Sequence, residues 1–135
     1  MNRYDLDVAQ AIKQVKIPYC VGGGSETVNS GANGLSCKIF LLSGKEVGWD
    51  SSDNQYFPND GAKLSYFLDG TGSSANQKRV ATLNGSATDW WLRSPRTRDP
   101  DRVWRVGDDG DCSGWSASRS YGVRPAFVLP SDFVI

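Results

Sequence analysis

The chain has 135 residues, of which 39% are hydrophobic and 22% are charged, and its 15 basic residues balance its 15 acidic ones. Zero net charge leaves no overall positive field to hold nucleic acid or an anionic membrane by charge alone, and either partner would need a local patch. We predict no nucleic-acid partner. The sequence contains no histidine, which excludes Ser-His-Asp and Cys-His nucleophile pairs and histidine-ligated zinc.

Regular structure is predicted to start with one helix. Apolar residues at helical spacing predict a helix over residues 5–16, with Pro18 as its stop. The Gly/Ser/Asn-rich stretch 20–36 lacks the GxxxxGK[ST] spacing of a phosphate-binding loop, so we interpret it as a plain loop. The short apolar run 37–43 predicts a buried strand. A turn-rich middle follows, with a short helix near 61–67.

Strands dominate the second half of the chain. TDWWLRS (88–94) and GVRPAFVL (122–129) predict strands, and Pro125 places the second at an edge or a bulge. We therefore predict one α+β domain over residues 1–135, with small antiparallel sheets, one or two helices and long irregular loops.

Residues 103–112 predict a hairpin that turns at Asp108-Asp109-Gly110. If Trp104 and Val106 face the core, the alternation of a strand turns Arg105 outward. Most of the loop that follows is then expected to face solvent.

The N-terminal residues are polar, and no apolar run approaches the about 18 residues of a membrane span. We predict a protein made in the cytoplasm without a signal peptide and without membrane insertion.

Residue usage changes abruptly near residue 95. All six lysines and all seven asparagines precede residue 85, whereas seven of the nine arginines lie at residue 93 or later. The segment 96–121 is built mainly from Arg, Asp, Ser and Gly, and it contains no Lys or Asn. Lys and Asn codons start with two adenines, so a template whose adenines had been randomised would produce this composition. The plain alternative is an arginine-rich surface loop that lacks lysine by chance.

The same segment has the residue types of a binding surface. Trp, Tyr and Arg dominate interaction hot spots, while Ser and Gly provide small, adaptable contacts. Interleaved Arg and Asp suit varied protein surfaces better than one polyanion. Trp115 is open to two interpretations, since a large aromatic residue either anchors a loop in the core or is displayed.

Four motifs carry a resemblance to known proteins: KIFLLS (38–43), WWLRSP (90–95), VWRV (103–106) and GVRPAF (122–127). Over about residues 37–130 the chain resembles a family of unknown function from gut Firmicutes and their phages, with an expected C-type-lectin-like fold. The pattern is similar to the variable proteins of diversity-generating retroelements. In those proteins a reverse transcriptase copies an invariant template, with errors at adenines, into the C-terminal part of the fold.

The resemblance implies a framework of residues 1–95 and 122–135 around a variable region 96–121. It implies a ligand-binding display protein that recognises a protein ligand of a host cell or other source, in several copies on a phage tail or a bacterial surface. Arg93 and Arg124 would belong to the framework and pair with buried carbonyls or with Asp89. The diversified, ligand-binding positions would be Arg96, Thr97, Arg98, Asp101, Arg102, Arg105, Gly107, Asp108, Asp111, Ser113, Gly114, Trp115, Ser116, Ser118, Arg119 and Tyr121.

Other functions stay open. A calcium-dependent sugar lectin would use carboxylates such as Asp108, Asp109 and Asp111, although neither an EPN nor a QPD tripeptide occurs. Formylglycine-generating enzymes share a related fold but rely on a cysteine pair, which Cys37 and Cys112 do not offer by position. A plain phage structural domain is the remaining alternative. We predict no enzyme activity, no metal and no cofactor.

Overall fold

Short strands and long loops make up most of the chain, which the computed structural model describes for the backbone of residues 3–134 and the side chains of residues 7–134. A 3-10 turn, Gly31–Asn33, precedes the strand Leu35–Cys37. The elements in chain order are α1 (Arg3–Ala11), β1 (Val15–Ile17), β2 (Tyr19–Cys20), β3 (Val28–Asn29), β4 (Leu35–Cys37), α2 (Ser73–Arg79), β5 (Ala81–Leu83), β6 (Ser86–Thr88), β7 (Trp90–Pro95), β8 (Arg102–Val106) and β9 (Cys112–Ser116).

These strands form small antiparallel sheets. Strand β1 pairs with β4, β2 with β3, and β5 with β6, while β7, β8 and β9 form a three-stranded sheet in that order. The predicted α+β class, with few helices and several small antiparallel sheets, is confirmed. Between residues 3 and 134, no helix combines the length and the apolar character needed to cross a membrane.

The N-terminal helix is shorter than predicted. It ends at Ala11, and the residues expected to form its last turn enter β1, where Val15 pairs with Cys37 of β4. The Lys13 N–H donates to the Val128 carbonyl oxygen at 2.9 Å instead of continuing the helix. β-Branched residues favour the extended state, so strand pairing overrides helical spacing here.

The predicted strand at 37–43 is wrong in extent. Within that range only Cys37 belongs to a strand, and Phe40 forms a single bridge to Ala126. The Leu41 carbonyl accepts a hydrogen bond from the Arg93 side chain at 2.9 Å instead of from a neighbouring strand. The run bends at residues 38 and 39, and Ile39 is 61% exposed, so the segment is neither a continuous strand nor fully buried.

The predicted strand at 122–129 is likewise reduced to isolated bridges, at Gly122 and Ala126. Pro125 precedes one of the bridges and has no N–H to donate, which limits pairing on either side.

A helix forms at α2 and not near residues 61–67. Sequence spacing missed α2 because its buried face consists of Ala75 and Arg79, without an apolar stripe. The Arg79 guanidinium lies 3.9 Å from the Trp49 ring centroid, and its Nε donates to the Val47 carbonyl at 2.7 Å. An arginine therefore takes the place of the apolar residues that usually attach a helix to a core.

The hydrophobic core packs between the β7–β8 pair and residues 42–57. Phe57 stacks between Trp49 and Trp104, with ring centroids 6.1 Å and 3.9 Å away. Trp104 and Val106 are 2% and 0% exposed. The predicted hairpin and its alternation are confirmed: β8 and β9 pair antiparallel around the 107–111 turn.

Arg93 connects four separate parts of the framework. Its guanidinium forms two hydrogen bonds to Glu46, at 2.6 and 2.8 Å. It also donates to the carbonyl oxygens of Pro18, Leu41 and Asp60. Pairing of Arg93 with buried carbonyls is confirmed, but its acidic partner is Glu46 and not Asp89.

Arg124 differs from the prediction. Its guanidinium stacks over Trp90 at 4.8 Å from the ring centroid, and its buried Nη1 has no hydrogen-bond partner among the described residues. Packing of the side chain on Trp90 still contributes stability. We expect Arg124→Ala to lower Tm measurably by thermal denaturation. An unchanged Tm would show that Arg124 is not a framework residue.

Buried Asp60 makes stability depend on pH. Desolvation by burial raises the pKa of Asp60 to about 6. The hydrogen bond from Ser94 and the positive charge of Arg93 act in the opposite direction but are outweighed. An unfolded aspartate titrates near pH 4, so the folded state binds the proton more tightly. Below about pH 4 both states are protonated and no penalty applies. As pH rises towards 6 and above, the free energy of unfolding falls by about 3 kcal/mol from this group.

We expect Asp60→Asn to remove this loss. Urea denaturation at pH 4.5 and 7 should show the wild type losing more stability than Asp60→Asn between the two pH values. Equal losses in the two proteins would contradict the prediction.

Candidate functional site

The three-stranded sheet separates the core from an outward face. Register places Trp91 opposite Arg105, and Arg105 opposite Ser113. Val103 pairs with Trp115. Cross-strand partners share a face of the sheet, so these side chains lie on the side opposite Trp104.

Arginines and aromatic rings contact one another on this face. The Arg105 guanidinium lies 5.6 Å from the Trp115 ring centroid and 5.2 Å from that of Tyr121. Arg119 lies 5.1 Å from the Trp115 ring, and the rings of Trp91 and Tyr121 meet edge to face at 4.8 Å. We call these five residues, Trp91, Arg105, Trp115, Arg119 and Tyr121, the arginine–aromatic cluster.

Asp89 holds this cluster in place from the end of β6. Its Oδ1 lies 3.3 Å from Arg105 Nη1 and accepts the Asp108 N–H at 2.7 Å. One carboxylate therefore binds both the cluster and the turn of the β8–β9 hairpin. Beside it, a shallow cavity of about 430 Å³ opens between Leu83 and Tyr121.

Trp115 lies on the outward face of the sheet. Of the two interpretations that the sequence left open, a core anchor or an exposed residue, the structure supports the exposed one. Trp115 is 37% exposed on β9, the outer strand of its sheet. Its indole N–H donates to the Ser113 hydroxyl at 3.0 Å, and its ring faces are covered in part by arginines. The side chain is ordered by its neighbours without being buried.

The backbone of residues 96–121 is held mainly by main-chain hydrogen bonds. Such bonds do not depend on which side chain a residue carries. Their donors and acceptors are Arg96 N to Arg102 O, Thr97 N to Tyr56 O, Arg98 N to Gly24 O, Gly107 N to Asp111 O, Ala117 N to Asp101 O and Arg119 N to Ser116 O.

The glycine-rich loop near residue 24 supports one end of this segment. A Cβ on Gly24 would lie 3.7 Å from the backbone nitrogens of Asp99 and Pro100, and Gly24 itself has a φ of +83°. Glu26 in the same loop forms an ion pair with Arg98. The loop contacts the candidate binding segment through backbone and one carboxylate. The interpretation of all of 20–36 as a loop is wrong in extent, because β3, the 3-10 turn Gly31–Asn33 and the first residues of β4 lie within it.

Arg96 is held on the core side of the sheet. Its guanidinium stacks on Tyr56 at 4.0 Å and pairs with Asp99 at 2.6 Å. It also covers Gly114, where an added Cβ would lie 2.6 Å from Arg96 Cδ. These two positions are coupled, and a side chain at 114 requires Arg96 to move.

The acidic turn, residues 108–111, is stabilised by hydrogen bonds that backbone N–H groups donate to its own carboxylates. Asp109 Oδ1 accepts the Asp111 N–H at 3.0 Å, and Asp111 Oδ1 accepts the Cys112 N–H at 2.8 Å. Among the side chains of residues 7–134, no group of three or more Cys, Asp or Glu has a spacing that could hold a metal ion.

The three cysteines are free thiols. Burial, followed by the nearby Asp111 charge, raises the pKa of Cys112 to about 12, and burial also raises the pKa of Cys20. Raised pKa values disfavour the thiolate, which is the nucleophilic form.

Comparison with known proteins places the chain in a family. A family model described as Domain of unknown function (DUF6273) matches residues 1–131. The chain belongs to the DUF6273 family. No curated protein and no solved structure matches this DUF6273 chain.

Most predicted site residues of the DUF6273 domain reach solvent, but two do not. Thr97 is 3% exposed and Gly107 is buried. A Cβ at Gly107 would lie 2.9 Å from Arg105 Nη1 and from Asp109 Oδ1, so this position has little room for a side chain. The exposed members are Arg98, Asp101, Arg102, Asp108, Asp111, Trp115, Ser118 and Arg119, and the half-buried members are Arg96, Arg105, Ser113, Gly114, Ser116 and Tyr121.

Two residues of this surface were not among the predicted positions. Trp91 belongs to the cluster, and the sequence signal that could have found it is the period of two along the predicted strand, which turns Trp91 outward if Trp90 and Leu92 face the core. Asp89 was expected to pair with Arg93 or Arg124 and instead binds Arg105. No local pattern indicates that partner, because it depends on the register in which β7, which begins directly after Asp89, pairs with β8.

Proposed function

We propose that this DUF6273 domain is a ligand-binding display protein with a C-type-lectin-like fold, and that adenine-directed mutagenesis diversifies residues 96–121. The arginine–aromatic cluster on the outward face of the β7–β8–β9 sheet is the observation that carries this proposal. Small antiparallel sheets, two helices and long loops are compatible with the fold.

The cluster has the chemistry of a recognition surface. Arginine and aromatic side chains supply large contact areas and are enriched among the residues that dominate binding energy. Stacking orders Arg105 and Trp115 before any partner arrives, so less entropy is lost on binding. Ser113, Ser116 and Ser118 add small polar groups around them.

Main-chain support favours diversification over a fixed site. Side chains that are not needed to hold the backbone can change at little cost in stability. Trp104, Val106 and Gly110 have structural roles and are not among the positions inferred to vary. Thr97 and Gly107 are buried as well, and they are the two inferred positions at which the fold leaves little room for change. Gly110 has a φ of +82°, and a Cβ there would lie 2.0 Å from the Asn76 carbonyl oxygen.

The size of the surface favours multivalent display. Of the sixteen predicted positions, the fourteen that reach solvent are fewer than the roughly 20–30 residues that each partner contributes to a standard interface. Several copies on a phage tail or a cell surface would raise the overall affinity by avidity. A nanomolar Kd for a monomeric protein and its ligand would remove the need for display in several copies.

The genomic DNA around the gene for this chain provides a direct test of diversification. We expect a near-copy of codons 96–121, richer in adenines, beside a reverse-transcriptase gene. A genomic context without such a repeat would refute diversification and leave an ordinary binding or structural domain.

Two libraries test display without knowledge of the natural ligand. One is randomised at positions 98, 101, 102, 108, 111, 115, 118 and 119. The matched control is randomised at eight exposed positions of α2 and the β5–β6 hairpin: 73, 74, 77, 78, 82, 83, 86 and 87. Selection on immobilised lysozyme should yield folded binders mainly from the first library. Equal yields from both would count against a specialised surface.

A calcium-dependent lectin is the alternative to be distinguished. Calorimetric titration with calcium should give no saturable heat if the acidic turn is only a structural turn. Saturable calcium binding that Asp108→Asn abolishes would favour the lectin instead.

A further inference from the structure

A second concavity lies on the framework, and none of its lining residues falls within 96–121. Its volume is about 730 Å³, within the about 300–1,000 Å³ that small-molecule sites occupy. Its walls are largely apolar and include Phe40, Leu64, Tyr66, Phe127 and Val128.

Several of these apolar side chains remain in contact with solvent. Tyr66 is 58% exposed, and Leu64, Phe127 and Val128 are exposed as well. Apolar side chains that surround one concavity and stay exposed are typical of a binding site. The Phe40–Ala126 bridge, with hydrogen bonds of 3.0 and 2.8 Å, joins two of its walls by backbone.

The cavity wall contains two charged side chains, Glu46 and Arg124, and they differ in whether they have an ion-pair partner. Glu46 lines the cavity, but Arg93 already occupies both of its carboxylate oxygens, at 2.6 and 2.8 Å. Arg124 also lines the cavity and is half-buried. Arg124 makes no ion pair with residues 7–134. Its Nη1 is buried without a hydrogen-bond partner there, and its Nε and Nη2, which are not among the fully buried atoms, donate to no oxygen of those residues either.

Stacking on Trp90 does not replace an anion. The ring face lies 4.8 Å from the Arg124 guanidinium carbon and offers only a weak acceptor to its N–H groups. A guanidinium is shaped to hold a carboxylate through two parallel hydrogen bonds. The cavity therefore combines an apolar wall with a cation for which residues 7–134 provide no oxygen acceptor.

We propose that this cavity binds a small amphipathic carboxylate, of the class of a medium-chain fatty acid. The carboxylate pairs with the Arg124 guanidinium, and the alkyl chain packs along Leu64, Tyr66 and Phe127. A site of this kind is independent of the diversified segment, so a failed test here leaves the proposed display function untouched.

Calorimetric titration of the whole chain with decanoate tests the proposal, with decylammonium as a ligand of the same chain length and opposite charge. Decanoate, kept below its micelle-forming concentration, should bind saturably at one site. Decylammonium should bind at least about tenfold more weakly, because its charge is repelled by Arg124.

Three variants locate the site. Arg124→Gln should weaken decanoate binding about tenfold or more, whereas Arg119→Gln, an exposed arginine outside the cavity, should leave it unchanged. Ala62→Trp places a large ring on an exposed position of the wall and should abolish binding. If Arg124→Gln does not fold, the two ligands and Ala62→Trp still decide the matter.

Several outcomes would overturn the proposal. These are no saturable decanoate binding, equal affinity for decylammonium, or full affinity in folded Arg124→Gln or in Ala62→Trp. A dimer in solution that Ala62→Trp dissociates would also overturn it, since a second copy would then cover this face.

Discussion

Replacing Arg93 with methionine is expected to lower the free energy of unfolding by about 3–5 kcal/mol, the usual loss when one partner of a buried ion pair is removed. Arg93 and Glu46 side chains are 9% and 11% exposed. Methionine retains much of the volume but leaves the Glu46 carboxylate buried without its cation. It also leaves three carbonyl oxygens without their donor.

Urea denaturation measures this loss, with Arg102→Met as the matched control. Arg102 is an exposed arginine whose ion pair to Asp99 spans 3.7 Å, so its replacement should change stability by less than about 0.5 kcal/mol. The double variant Arg93→Met with Glu46→Gln should regain part of the loss, because no uncompensated charge remains. A change below about 1 kcal/mol in Arg93→Met would contradict the framework role of the residue.

Truncation of two tryptophans on neighbouring strands should lower stability by very different amounts. Trp104→Ala is expected to cost about 3–5 kcal/mol, since it removes a buried ring. That ring stacks on Phe57 at 3.9 Å, and its indole N–H donates to the Tyr56 carbonyl. Trp115→Ala should cost less than about 1 kcal/mol, because its ring lies on the solvent side of the sheet.

The pair is a matched comparison, because both residues lie in the 96–121 segment and both are tryptophans. Urea denaturation of the two variants compares framework and displayed surface directly. Similar losses for both would mean that Trp115 supports the fold, and the proposed division between framework and display would fail.

Local sequence patterns predicted the parts of the fold that depend on neighbouring residues. The hairpin around Asp108-Asp109-Gly110 follows from turn chemistry and from alternation along β8. The outward position of Arg105 follows from the burial of Trp104 and Val106. Arg93 was correctly expected to bind buried carbonyls.

Long-range packing decided the rest. Helix α2 is attached to the core by Arg79, and no apolar periodicity could have indicated it. The helix predicted to reach residue 16 ends early because Val15 pairs with a strand more than twenty residues away.

The candidate site shows the same division. The unusual composition of residues 96–121 is visible in the sequence alone, and it is enough to identify the segment as a candidate binding surface. Only the tertiary structure decided that Trp115 is displayed, that Asp89 binds Arg105, and that Thr97 is buried. Composition and alternation are properties of the local chain, whereas partners and burial depend on which distant segments fold against it.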